Sequence, residues 1–194
     1  MTKKEYFDGL AREIRNDWFE DHKATLLVSG DGTKVIDWQK PGTWIYGMRF
    51  VIHSRWLAVL GDLGEATYEW SSNIDPEFLA TLNFDYFLGK CRASEHGREF
   101  TVYEPDVLTT ELAEYVKEAD NEDRLRLTEL LANLGVYCDR DEWVQAIREA
   151  YDDGLLRDAE EAGIVASLGL VPDGHAIAHW VGIRMACQQL LEAK

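Results

Sequence analysis

His175 and His179 stand four residues apart in a segment of helical pattern, so their imidazoles can share one face and chelate a transition metal. Asp173, two residues before His175, is placed either to cap that helix or to supply a third ligand. The glutamate of an HExxH motif is missing, and no neighbouring Cys or His completes a metal set in sequence. Capping and helix packing account for these residues without a metal. Ser71-Ser72 and Ser94-Glu95-His96 carry hydroxyl and imidazole groups, but no GxSxG elbow frames them. Gly30-Asp31-Gly32 and Gly61-Asp62-Leu63-Gly64 are too short for a phosphate loop, lack a GKS or GKT ending, and read as hairpin turns. Carboxylates are too numerous for any two to stand out as a catalytic pair. The pattern therefore names no reaction, no catalytic residue and no cofactor. A small metal- or small-molecule-binding enzyme with a cleft between sheet and helices stays open as an alternative.

The carboxylates form the more informative pattern. The chain has 36 acidic and 20 basic residues, a formal charge of −16. Residues 1–100 hold 16 acids and 12 bases, whereas residues 101–194 hold 20 and 8, so the second half carries −12. Glu111, Glu114, Glu118 and Glu122 fall near one stripe if a single helix runs through them, with Leu108, Leu112, Tyr115 and Ala119 as its buried side. Residues four apart rise ~6 Å along a helix, close to the roughly 6–7 Å between phosphates on one strand. Such a stripe can imitate a nucleic-acid backbone. Asp120, Glu122 and Asp123 continue it, and Asp152, Asp153, Asp158, Glu160 and Glu161 form a second cluster. The competing reading is an ordinary solvated face that confers solubility. Either way, the surface repels phosphate backbones and anionic lipid, so direct binding to nucleic acid or a membrane is not expected.

These residues need elements to hold them. Phe7, Leu10, Ile14 and Trp18 recur at helical spacing and predict an amphipathic N-terminal helix. From Ala24 to Trp70 the period is two. Ala24–Ser29, Lys34–Trp38, the alternation Trp44–Ile52, Trp56–Leu60 and Ala66–Trp70 predict an antiparallel meander of about four strands, with one buried and one polar face. Trp38, Trp44, Trp56 and Trp70 are read as core beneath the helices. Asp75-Pro76 signals a helix start, with one helix or two short ones over Glu77–Lys90. Arg98–Tyr103 reads as a further short strand. Helical patterns then cover Asp106–Ala119, Glu122–Leu134, Asp141–Tyr151, Ala159–Ser167 and His175–Ala193. The fold class expected is α+β: an N-terminal helix, the meander, and a helical C-terminal half packed on the sheet. The division falls near residues 103/104, inside one compact unit.

Apolar residues at 46% and seven Trp supply a core, which argues against disorder. Cys91, Cys138 and Cys187 are odd in number, widely spaced and without a CxxC pair, as expected of reduced thiols in a cytoplasm. No apolar stretch approaches the ~20 residues of a membrane helix. The expected location is the cytoplasm of a host cell.

Asp37-Trp38-Gln39-Lys40-Pro41-Gly42-Thr43, Trp56 through Ala66, Asn73-Ile74, Glu77-Phe78-Leu79-Ala80, Asp85-Tyr86-Phe87 and Lys90-Cys91 together resemble a family of uncharacterised bacteriophage and prophage proteins. The resemblance covers roughly residues 35–100. It implies an accessory protein acting on host defence or host machinery, and carries no catalytic residues over. Acidic anti-CRISPR and anti-restriction proteins offer an analogy of class. The expectation is a non-enzymatic protein that occludes the nucleic-acid site of a basic host protein or nucleoprotein complex. Its contact residues would be Glu111, Glu114, Glu118, Asp120, Glu122, Asp123, Asp152, Asp153, Glu160 and Glu161. A phage structural or assembly protein is the remaining alternative.

Overall fold

The computed structural model describes residues 1–95, 100–119, 124–125, 127–128, 140–154 and 156–193. Two compact units emerge: Gly9–Phe100 with Asp173–Lys194, here the sheet unit, and Met1–Asp8 with Thr101–Pro172, here the helical unit. The helical unit's main segment begins at Thr101, close to the sequence division near 103/104, and Asp173–Lys194 belongs with the sheet unit because the last helix returns to the sheet.

The α+β class is as the sequence predicts. Helix α1 spans Lys3–Glu13 and is followed by a π-helical turn, Ile14–Trp18. Phe19 N–H closes that turn on the Ile14 carbonyl at 3.0 Å, which sends Ile14 and Phe19 into the core. Six strands follow: β1 Lys23–Gly30, β2 Thr33–Gln39, β3 Met48–His53, β4 Trp56–Gly61, β5 Ala66–Glu69 and β6 Cys91–Ser94. They lie side by side in chain order, every neighbour antiparallel. The meander thus has six strands rather than about four, and the alternation before Met48 belongs to a turn rather than to β3. Between β5 and β6 lie two short helices, α2 Pro76–Leu79 and α3 Phe84–Leu88. Asp75 and Asn83 cap them by accepting from Phe78 N–H and Tyr86 N–H, each at 2.8 Å. Two caps eight residues apart are why the segment cannot be one helix.

One sheet face is the core. Ile36 and Trp38 of β2, Met48, Phe50 and Ile52 of β3, Leu57 and Val59 of β4, and Ala66 and Tyr68 of β5 are all buried there. The C-terminal helix, Gly174–Glu192, covers them and is apolar almost all round from Ala176 to Ile183. Gly182 sets how near it lies: a Cβ there would fall on the Met48 methyl, with Phe19 and Phe50 ring carbons at 3.4 Å. Gln189 ties the same helix to the sheet's edge, accepting from Ala24 N–H at 3.1 Å and donating to the His22 carbonyl at 3.1 Å.

His22 is 3% exposed, between the rings of Phe19 and Trp38 at centroid distances of 4.9 and 5.5 Å. Its Nε2 donates to the Tyr46 carbonyl at 3.3 Å. Burial lowers its pKa below the ordinary 6.5. The unfolded chain therefore takes up a proton that the folded chain refuses. Stability is full above 6.5 and declines as pH falls below it toward the lower folded value. A His22→Gln variant keeps a donor and cannot titrate. Its urea midpoint is expected to fall less than the wild type's between about pH 7 and pH 5. Equal declines would show that His22 does not carry that slope.

In the helical unit, α4 spans Pro105–Glu118, α5 Arg140–Asp152 and α6 Ala159–Ala166. Leu108, Leu112, Leu127, Trp143, Ile147, Ala150, Leu156 and Val165 form its own core. A pair of three-residue strands, β7 Thr101–Tyr103 and β8 Leu170–Pro172, closes it. β7 occupies the end of the strand predicted over Arg98–Tyr103, but it pairs with β8 rather than with the meander, and β8 carries no strand signal of its own in sequence. The predicted helix over Glu122–Leu134 lies largely outside the described residues. The C-terminal helix, last in the chain, is α7.

Candidate protein-binding surfaces

The sequence-predicted acidic residues separate into three groups. Glu114 and Glu118 of α4, Asp152 and Asp153 at the end of α5, and Glu160 of α6 are exposed. No ion pair or side-chain hydrogen bond joins these five to another described residue. Glu111 and Glu161 have structural tasks instead. Glu111 meets Lys3 Nζ at 3.0 Å and accepts from Gly169 N–H at 2.8 Å, with its side chain 19% exposed. Glu161, expected on the surface, is buried at 4%. Asp158 caps α6 by accepting from Glu161 N–H at 2.9 Å, while the Glu161 carboxylate accepts from Arg157 N–H at 2.6 Å. That reciprocal pattern resembles a capping box, and it turns the carboxylate inward. Asp120, Glu122 and Asp123 lie outside the described residues.

The single stripe from Glu111 to Glu122 requires one helix, and α4 stops short of it. Ala119 takes an extended conformation, ψ 150°. The Arg124 guanidinium donates to the carbonyls of Val116, Lys117 and Ala119 at 3.4, 2.9 and 3.0 Å, filling acceptors that a longer helix would use itself. The ~6 Å repeat is therefore limited to Glu114 and Glu118 on this helix. The acidity itself stays segregated: the helical unit has 20 acidic and 8 basic residues by sequence, against 16 and 12 in the sheet unit.

The histidine pair does not converge. Asp173 caps α7, its Oδ1 accepting from His175 N–H at 2.9 Å and lying 3.0 Å from His175 Nδ1. His179 is fully buried on the same helix, with Nδ1 3.1 Å from the Tyr68 hydroxyl and Nε2 2.9 Å from the Leu63 carbonyl. Both ring nitrogens are thus engaged in seating α7 on the sheet. Burial also raises the Tyr68 pKa well above its ordinary value, so the phenol keeps the proton of that bond. Among the described residues, no three His, Cys, Asp or Glu side chains come together as a metal site. No described helix is long and apolar enough to cross a membrane.

A second surface was not legible from the predicted polar sheet face. Trp38 and Trp70 are buried as expected, but Trp44 and Trp56 are 41% and 39% exposed. Trp44 precedes β3 in a turn where Gly47 N–H meets the Trp44 carbonyl at 2.6 Å. Trp56 is out of phase with Leu57 and Val59, which take the core side of β4. Leu60, 38% exposed, shares the outer side with Trp56. The signal was available: Val35, Val51, Ala58 and Leu60 are apolar at the positions that alternation assigns to the polar side.

No protein-family model matches the chain, and comparison with curated proteins and with solved structures finds no significant match.

Proposed function

We propose that this chain is a non-enzymatic protein that binds a basic surface of a host protein or nucleoprotein complex through its helical unit. By occupying that surface it would keep nucleic acid from it. The observation that carries the reading is the set of five exposed, unpaired carboxylates, Glu114, Glu118, Asp152, Asp153 and Glu160, in the unit that holds most of the charge. Carboxylates with no cation among the described residues remain available to Lys and Arg of a partner. The resemblance of residues 35–100 to phage proteins supplies the setting, and an anti-CRISPR or anti-restriction inhibitor is its sharpest form. The metal alternative draws no support from His179, whose nitrogens hold α7 in place.

The test compares wild type with an Asp152→Lys, Asp153→Lys, Glu160→Lys triple variant. All three side chains are exposed, so the fold should persist. Wild type immobilised and challenged with host lysate is expected to retain a nucleic-acid-binding protein, and to displace nucleic acid from it once purified. The charge reversal should weaken that complex at least ~10-fold, and raising ionic strength should weaken the wild-type complex as well. A complex indifferent to both would sink the reading.

A further inference from the structure

The outer face of the six-stranded sheet, opposite the helices of its own unit, carries one apolar ladder from edge to edge. Val28 stands opposite Val35, Val35 opposite Val51, Val51 opposite Ala58, Ala58 opposite Thr67, and Thr67 opposite Ala93. Asp37, Arg49 and Leu60 form the row on one side; Thr33, His53, Trp56 and Glu69 form the row on the other. Small side chains in the middle and larger ones outside make the ladder a shallow trough. Trp44 extends one rim, bordering an open hollow of about 360 Å³ with Arg49, Leu60 and Gly61. A larger hollow of about 590 Å³ opens beyond Leu60, toward Thr67 and Ala93.

We propose that this face is where two copies of the chain join, face to face about a two-fold axis. Charge selects the occupant. The chain carries −16, so two copies repel over most of their surface. The ladder contains no charged residue. Of the flanking charges, Arg49 forks onto Asp37 at 2.6 and 2.9 Å and Glu69 takes Arg55 at 2.8 Å and Arg92 at 3.1 Å, while Glu65 and Glu95 line the far side of the larger hollow. A strongly basic or acidic partner would find no charge in the middle row and the nearest flanking charges already engaged, whereas a second copy sets the same apolar row against this one. A two-fold joint needs such self-complementarity, and it lets the rim of one copy enter the trough of the other. Size agrees. Six strands at ~4.8 Å spacing and rows four residues apart span roughly 30 by 20 Å with their side chains, about 600 Å² before corrugation. Accessible area then approaches the ~800 Å² per partner of a stable dimer.

This joint is independent of the acidic surface and responds oppositely to salt. Sedimentation of the full chain at about 50 µM should give twice the 22.2 kDa chain mass, with the dimer kept or tightened as ionic strength rises and repulsion is screened. Val51→Lys and Ala58→Lys each place a charge at the centre of the ladder, on the side away from the core. Each is expected to raise the dimer dissociation constant ~100-fold or more with circular dichroism unchanged. Should either fold poorly, Trp56→Ser at the rim gives the same reading with a smaller rise. A wild type that stays monomeric at about 100 µM overturns the proposal. So does a dimer that survives these changes and is lost in Leu27→Lys, since exposed Leu27 lies on edge strand β1 and would report edge-to-edge pairing instead.

Discussion

Replacing Trp143 with alanine is expected to cost the helical unit about 3–5 kcal/mol. Trp143 is 1% exposed and lies in the core formed with Leu108, Leu112, Ile147 and Val165. Removing an indole leaves a void that the surrounding side chains can close only in part. A small domain has about 5–15 kcal/mol of stability in all, so the loss is a large share of it. The sheet unit has a separate core, built on Trp38, Phe50 and Tyr68. Hydrogen exchange should therefore show α4, α5 and α6 losing protection while β2, β3 and β4 keep theirs. Fluorescence gives a second check, because Trp143 is the only tryptophan of the helical unit. The difference in emission between wild type and a Trp143→Phe variant isolates that indole, which should redden on unfolding of that unit alone. Protection lost evenly over both units would mean that they unfold as one body. The variant also separates the two functional proposals: capture of a basic partner should fail, while the dimer should remain.

What the sequence disclosed follows from which forces are local. Period-two alternation placed Ile36, Trp38, Phe50 and Ile52 on one side, and caps at Asp75 and Asp173 marked helix starts, because both signals live within a few residues. The acidic surface was half legible. Charge counting found the acidic half, but Glu161 is buried by a cap and Glu111 is held by Lys3, from the far end of the chain. A carboxylate's role depends on its neighbours in space, which counting along the chain cannot supply. The histidine pair shows the same limit. Its spacing on α7 is as predicted, yet His179 turns toward Tyr68 and Leu63, more than a hundred residues earlier. The outer sheet face was missed through a rule applied too strictly. Strict alternation puts apolar residues inside and polar ones outside, yet Val51 and Ala58 are apolar on the outer side.

Gly61→Ala is expected to cost about 3 kcal/mol or more, against a gain of about 0.5–1 kcal/mol for Gly163→Ala. Gly163 is a fair control: a Cβ there, inside α6, meets nothing within 4 Å. Gly61 ends β4 at φ +143°, a conformation that residues with side chains rarely take. A Cβ would fall within the van der Waals shell of the Gly47 carbonyl oxygen, with Met48 Cα at 3.0 Å and Gly47 C at 3.2 Å. All three are backbone atoms, so no side chain can swing aside. That carbonyl also accepts from Asp62 N–H at 2.9 Å, and Asp62 in turn accepts from Tyr46 N–H at 2.8 Å. Tyr46, itself at φ +56°, stacks on Trp18 at 4.9 Å. Pushing Gly47 away thus disturbs the Met48↔Gly61 register and the turn that carries Trp44 together. Urea midpoints of the two variants read the stability difference, and sedimentation reads the position of Trp44. If Gly61→Ala folds, its dimer should be weaker than wild type, because one rim of the trough has moved. A variant as stable and as dimeric as wild type would mean that the turn shifts at no cost, and that Trp44 does not define that rim.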